Sequence, residues 1–421
     1  MKMKIKLTFL AITFTLFYSF SNAQTYTSVG NSSWLSPTTW SPVGVPILGV
    51  NATVVIINSN VVLDTSYVYS SGSITINSGK SLQESGIRTM LLNGSNAIFT
   101  NNGTFTFSNF IANNGGATNN GSMNIDIVLY NNAVFLNNGT ITGIDSFLNN
   151  KTFTNTSIAS LGVNQFQNDK TVRNFGTITA VDHLNNDSLT NKGRLIFTNF
   201  SNASNCLNDS LITINDFTNT GSIFNNKVII GNNDFTNRGS FQNAGTYTVG
   251  HDFLNHNLVT FDAVFANNGL VTVGHNWWNA DTIKGTVLGS FVVQDSTANT
   301  GSMKGTFDFC DLTPPATAIK IDLNTGTVTP GITYCTHVAI ENIAKSNINI
   351  YPNPANNFIT IELLGSSTKN SIIISNNLGQ TIYNSTFIEK AYIDISKFST
   401  GVYFLKIQSK EFLISEKIIK Q

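Results

Sequence analysis

The sequence predicts an all-β chain, a parallel β-solenoid followed by a small C-terminal β-sandwich, and three observations carry that prediction. Only 11% of the 421 residues are charged, against roughly 25% in an average globular protein. Helix formers are scarce, with no glutamate between Glu84 and Glu341, so polarity comes from amides and hydroxyls. Most telling, two motifs recur with one period, and internal repeats decide fold class before anything else.

The first motif aligns Asn215-Asp216-Phe217-Thr218-Asn219 with Asn233-Asp234-Phe235-Thr236-Asn237 at an offset of 18 residues. His251-Asp252-Phe253-Leu254-Asn255 follows after another 18, and His275-Asn276-Trp277-Trp278-Asn279 after 24. Earlier copies are Asp145-Ser146-Phe147-Leu148-Asn149, Asn164-Gln165-Phe166-Gln167-Asn168 and Asp182-His183-Leu184-Asn185. The second motif, Asn-Asn-Gly-Thr/Ser, starts at Asn101, Asn119 and Asn137, again 18 apart. A period near 18 suits one coil of a solenoid. Short alternating runs such as Thr104-Phe105-Thr106-Phe107 supply the strands. Inward Phe, Ile, Val and Leu then stack from coil to coil, with Thr, Ser and Asn facing water. Asn and Gly mark the corners because they tolerate positive φ. Stacked Asn residues are also able to bond along the axis as amide ladders. A propeller would need repeats of roughly 40 residues, and a sandwich would show non-repeating strands. Parallel crossovers are overwhelmingly right-handed, which makes a right-handed coil the expectation.

The chain divides accordingly. Lys2, Lys4 and Lys6 precede an apolar stretch from Leu7 to Phe20 and the small residues Ser21-Asn22-Ala23, the pattern of a signal peptide over 1–23. No later stretch reaches the roughly 18 apolar residues of a membrane span. Residues 24–70 form an N-terminal cap leading into the first coils, and 71–309 hold the solenoid repeats. A C-terminal cap follows over 310–340, then a linker, 341–346, and a last domain, 347–421. Cys310 and Cys335 lie in the cap; in an oxidising compartment they are expected to close a disulfide. Cys206 reads as a small buried apolar residue.

Trp34 and Trp40, followed by Gly44-Val45-Pro46, resemble the N-terminal segment of many secreted bacterial β-helix proteins. There a tryptophan pair and a Gly-x-Pro turn lead into the first coil. Gly49-Val50-Asn51 stands where that pattern usually carries an Asp. Both readings make these tryptophans packing residues.

The last domain alternates through Ile359-Thr360-Ile361, Ile372-Ile373-Ile374, Tyr392-Ile393-Asp394-Ile395 and Val402-Tyr403-Phe404-Leu405, short strands of a compact sandwich. It opens with Tyr351-Pro352-Asn353-Pro354. Leu378-Gly379 forms a central turn, Asp394-Ile395-Ser396 and Gly401-Val402-Tyr403 a hairpin, and Lys417 to Lys420 the close. This order resembles the type A C-terminal sorting domain of cargo exported by the type IX secretion system. The resemblance implies a route through the periplasm, recognition by the outer-membrane translocon, and release or attachment to surface lipopolysaccharide. It names an address and no activity.

Equal numbers of acidic and basic residues give a formal net charge of zero, so no electrostatic footprint suggests nucleic acid. Glycoside hydrolysis generally takes two carboxylates. Only Asp is available across the solenoid, and Asp216, Asp234 and Asp252 recur at one rung position, as structural corners do. Asp169, Lys170, Arg173 and Arg194 are the only hint of a lyase set. His251 and His275 share a motif position, which places them about 4.8 Å apart in successive coils, with His256 nearby. No Cys or Glu completes a metal set, so stacked imidazoles or corner hydrogen bonds are the reading. An Asp column would attract Ca²⁺, but the glycine-rich nonapeptide of such sites is missing. No obligatory cofactor is expected. Of Trp277 and Trp278, one must point outward if the other points in, and an outward Trp suits stacking on a sugar ring. The favoured function is a non-catalytic, adhesin-like or matrix protein, secreted or at the cell surface, contacting glycans or other surface proteins. The alternative is a polysaccharide lyase or hydrolase on the same fold.

Overall fold

The computed structural model describes residues 24–47, 53–112, 114–257, 262–313, 320–336, 348–363, 369–376, 380–408 and 413–421. The signal-peptide segment, the linker 341–346 and Leu378-Gly379 lie outside them. The chain winds into a parallel β-solenoid of about 14 turns, followed by small antiparallel sheets.

One coil shows the construction. Gly116–Asn119 forms a first face, and Ser122–Asn131 bends between Ile125 and Val128 to give a second and a third face. Val134–Asn137 then begins the next coil directly above the first face. Both sequence motifs fall in register. Phe147, Phe166, His183, Phe200, Phe217, Phe235, Phe253 and Trp277 pair successively along the third face. Their rings are buried and stack, as between Phe147 and Phe166, with centroids 4.9 Å apart and planes 2° from parallel. His183 is carried inside this column. Its Nδ1 meets the Phe166 carbonyl at 3.0 Å. Burial drives its pKa down to about 3, against the raising effect of that bond, so the ring is a neutral packing group.

The asparagines form the expected ladders along the axis, but from inside the coil and not facing water. Of the two in each Asn-Asn-Gly step, the first points inward and is fully buried. One column runs from Asn101 through Asn119, Asn137 and Asn155 to Asn267, each Nδ2 donating to the next Oδ1 at 2.8–2.9 Å. A second runs from Asn131 through Asn149 and Asn202 to Asn324 at 2.7–2.8 Å. The cause is backbone bookkeeping. A corner strands N–H and C=O groups facing the core, and buried polar groups must be paired. Asn101 Oδ1 accepts the Gly103 N–H at 3.1 Å, and its Nδ2 also reaches the Ser122 carbonyl at 2.8 Å. The amide accepts from the coil on one side and donates to the coil on the other, with a second N–H left for a backbone carbonyl.

The corner glycines are also explained differently. Gly121 and Gly139 are absent from the positive-φ residues. A Cβ on Gly121 would lie 2.1 Å from the Gly103 carbonyl oxygen, and one on Gly139 2.0 Å from that of Gly121. Glycine is needed there because coils approach closely. Among the described non-glycine residues only Cys335 has a positive φ.

Both ends of the solenoid are closed. Thr25–Ser28 runs parallel to Val54–Ile57 and antiparallel to Trp40–Ser41. Trp34 and Trp40 are buried, packed edge to face at 4.8 Å, and Trp40 Nε1 donates to the Trp34 carbonyl at 2.8 Å. At the other end Leu323–Asn324, Thr327–Val328 and Thr333–Tyr334 add one more parallel rung. The expected Cys310–Cys335 disulfide is present and ties this rung to the one before it. Closing a loop of 25 residues contributes roughly 3 kcal/mol by loop entropy. Cys206 is buried, and burial pushes its thiol up to about 12.

The C-terminal domain is a sandwich of a three-stranded and a four-stranded antiparallel sheet. Its opening motif locks to its last strand: Asn353 Nδ2 donates to the Lys417 carbonyl at 2.7 Å, and Asn353 Oδ1 accepts the Ile419 N–H at 2.9 Å. Tyr403 is buried and donates to the Ser399 carbonyl at 2.6 Å. Asp394 is held below the usual carboxylate range by the Ser396 hydroxyl and N–H. Among the described residues, the opening motif and the last strand thus meet as one unit.

Candidate functional site

The third face of the solenoid carries two outward columns between its inward ones. Gln165, Asp182, Asn199 and Asp216 pair in succession, and the Phe217–Phe235–Phe253 register continues this column through Asp234 and Asp252. Beside it run Gln167, Leu184, Ser201, Thr218, Thr236, Leu254 and Trp278. A shallow groove of about 570 Å³ follows the face past Gln165, Asp182, Asn199 and Thr218. Of the tryptophan pair, Trp277 is buried and Trp278 is 49% exposed on this same face. A second groove, about 620 Å³, runs over the second face past Thr142, Gly162, Thr179 and Thr213.

The aspartates are committed to neighbouring coils. Asp145 accepts from Asn164 at 3.1 Å, Asp182 from Asn199 at 2.7 Å, Asp209 from Asn226 at 2.8 Å and Asp216 from Asn233 at 2.6 Å. Asp234 and Asp252 also cap the next coil, accepting the N–H of Asp252 and Asn276 at 3.1 Å each. Between Asp182 and Asp216 the column alternates carboxylate with amide, whereas Asp216, Asp234 and Asp252 follow one another, each accepting from a side chain of the next coil: Asn233, His251 or His275.

The four residues that hint at a lyase set are spread around the coil. Asp169 accepts from Gln167 and Asn186 at 2.7 Å each, and Lys170 pairs with Asp187 at 3.2 Å. Arg173 stands on the first face between Thr154 and Thr190, while Arg194 opens the second-face strand Arg194–Asn202. These four residues do not converge on one point.

The histidines do converge. His251 and His275 stack with centroids 4.5 Å apart and planes 7° from parallel. His251 Nδ1 lies 2.7 Å from Asp234 Oδ1 and 3.7 Å from Asp252 Oδ1. His275 Nδ1 lies 2.7 Å from Asp252 Oδ1, and its Nε2 3.3 Å from Asp295 Oδ2. The Asp234 bond, with lesser help from Asp252, raises the His251 pKa. Burial pushes Asp252 up, but bonds from His275 and the Asn276 N–H outweigh it and leave the carboxyl below its ordinary value. His256 stands apart: its Nε2 accepts from Arg238 Nε at 3.0 Å. Asp295 escaped the sequence reading because it follows His275 by 20 residues with no motif around it. Only the Trp277–Thr297 register puts it in line.

Comparison with known proteins bears on the far end of the chain. No curated protein matches this sequence. Among solved structures, the chitinase ChiW of Paenibacillus sp. str. FPU-7, a cell-surface-expressed multi-modular enzyme, is similar at 9% identity and a TM-score of 0.14. The alignment covers 89% of this chain and 24% of that one; a likeness at this level carries no argument. Residues 349–421 match the family model of the secretion system C-terminal sorting domain, so this is a β-solenoid passenger joined to a type IX sorting domain.

Proposed function

We propose that the exported solenoid is a non-catalytic, adhesin-like or matrix protein that contacts glycans through its third face. One observation carries this reading. The face offers a groove lined by amides, hydroxyls and carboxylates, and three coils further along the same face one large aromatic, Trp278, is exposed. Its carboxylates Asp182, Asp216 and Asp234 each accept a hydrogen bond from the next coil, a repeated structural role that supports a binding surface over a dedicated acid pair. Sugar rings present hydroxyls to such columns and apolar faces to such an indole. Regular spacing along the axis suits a polymer better than a single small molecule.

The test is binding of the chain to a panel of surface and matrix polysaccharides, repeated with Trp278→Ala. Loss of one stacking contact is expected to weaken binding about five- to tenfold, with the unfolding midpoint unchanged. Unaltered affinity in the variant would remove the third face from the account. Failure to bind any polysaccharide would remove the glycan reading.

A further inference from the structure

We propose that His251, Asp252 and His275 form a site for a divalent cation of the zinc class, bridging two successive coils. The three donor atoms lie within 4.8 Å of one another, and the side chains are exposed or half-buried. A tetrahedral ion with bonds of about 2.0–2.2 Å holds its ligand atoms roughly 3.4 Å apart. The observed separations of 2.7 Å and 3.7 Å around Asp252 Oδ1 bracket that value. Two imidazoles with one carboxylate is a donor set that suits zinc in preference to the hard cations, which take oxygen.

Two further observations point the same way. His275 faces carboxylates through both ring nitrogens, Asp252 at Nδ1 and Asp295 at Nε2. Nδ1 also lies 2.7 Å from Asn276 Nδ2, and with a cation at Nδ1, Asp295 at Nε2 stands as the outer carboxylate that orients a ligating histidine. Asp234, 2.7 Å from His251 Nδ1, adds negative charge.

The second observation is a comparison within the repeat. One coil earlier, Asn233 donates to Asp216 Oδ1 at 2.6 Å. His251 and His275 make the same contact to Asp234 and Asp252 at 2.7 Å each. An amide satisfies the structural bond, so the imidazoles bring what the amide lacks: a nitrogen able to ligate a metal. This inference does not rest on the glycan reading.

The test uses the full chain, stripped with EDTA and carrying no polyhistidine tag, titrated calorimetrically with Zn²⁺. One site per chain is expected. His251→Asn and His275→Asn keep the structural hydrogen bond in the form Asn233 already uses. Each is expected to weaken Zn²⁺ binding at least about tenfold, while the unfolding midpoint of the metal-free chain holds. His256→Ala is expected to leave binding unchanged. Substituted Co²⁺ should give the visible absorption of a four-coordinate nitrogen–oxygen site. The absence of a binding isotherm, or equal affinity in the double His→Asn variant, would overturn the proposal.

Discussion

Replacing Asn202 with leucine is expected to destabilise the solenoid by about 2–5 kcal/mol, although leucine is apolar, similar in size and placed in a dry interior. Asn202 Oδ1 accepts from Asn185 at 2.7 Å, and its Nδ2 donates to Asn219 Oδ1 at 2.8 Å and to the Ser204 carbonyl at 2.7 Å. Leucine leaves the buried Asn219 oxygen without this donor, and it removes one bond each from the Ser204 carbonyl, which keeps the Ser222 N–H at 2.8 Å, and from Asn185 Nδ2, which keeps the Asn205 carbonyl at 3.0 Å. The orphaned oxygen costs about 1–3 kcal/mol and the two lost bonds add to that, while the hydrophobic gain of the new side chain offsets only part of the total. The matched control lies three residues away. Asn199 is exposed and donates to Asp182 at 2.7 Å, so Asn199→Ala should change stability by no more than about 0.5 kcal/mol. Urea unfolding of both variants checks this. Equal shifts would mean that the ladder stabilises no more than a surface amide does.

Deleting residues 348–421 is expected to abolish export, leaving a folded solenoid in the periplasm and none outside the cell. The sorting domain is a closed unit with its own core, from Ala355 and Ile359 to Ile418. Its opening motif is bonded to its final strand through Asn353, so the two ends of the motif series belong to one surface. Fractionation of the native host, followed by detection of the solenoid in periplasm and medium, reads the result directly. Undiminished extracellular protein would show that the domain is not the export determinant.

Much of this architecture was legible from residues alone, for a physical reason. A solenoid repeats its environment every coil, so sequence period and structural period coincide. Phe217, Phe235 and Phe253, picked out by spacing, are stacked rung on rung. Cys310 and Cys335 were readable because an oxidising route follows from the sorting motifs. What spacing does not reveal is phase at a corner. Asn101 and Asn102 are neighbours of one type, yet Asn101 is buried in the ladder while Asn102 accepts from Asn120 at 2.7 Å on the surface. Which of the two turns inward depends on where the bend falls, and no alternation survives a bend. The glycines misled in a related way. Their composition signals a turn, but close approach of coils and positive φ both select glycine, and only coordinates separate them. Asp295 shows the third limit: a side chain brought to a site by register across coils of unequal length leaves no local signal.

The proposed role of this exported solenoid is to hold glycans without altering them. The most direct measurement incubates the exported protein with each polysaccharide it binds and follows the appearance of new reducing ends and unsaturated sugar products. The account predicts bound, intact polymer, with product no higher than in buffer. Steady product release that disappears when one of the solenoid's aspartates or basic residues is substituted would contradict it, and would make the third face a catalytic cleft.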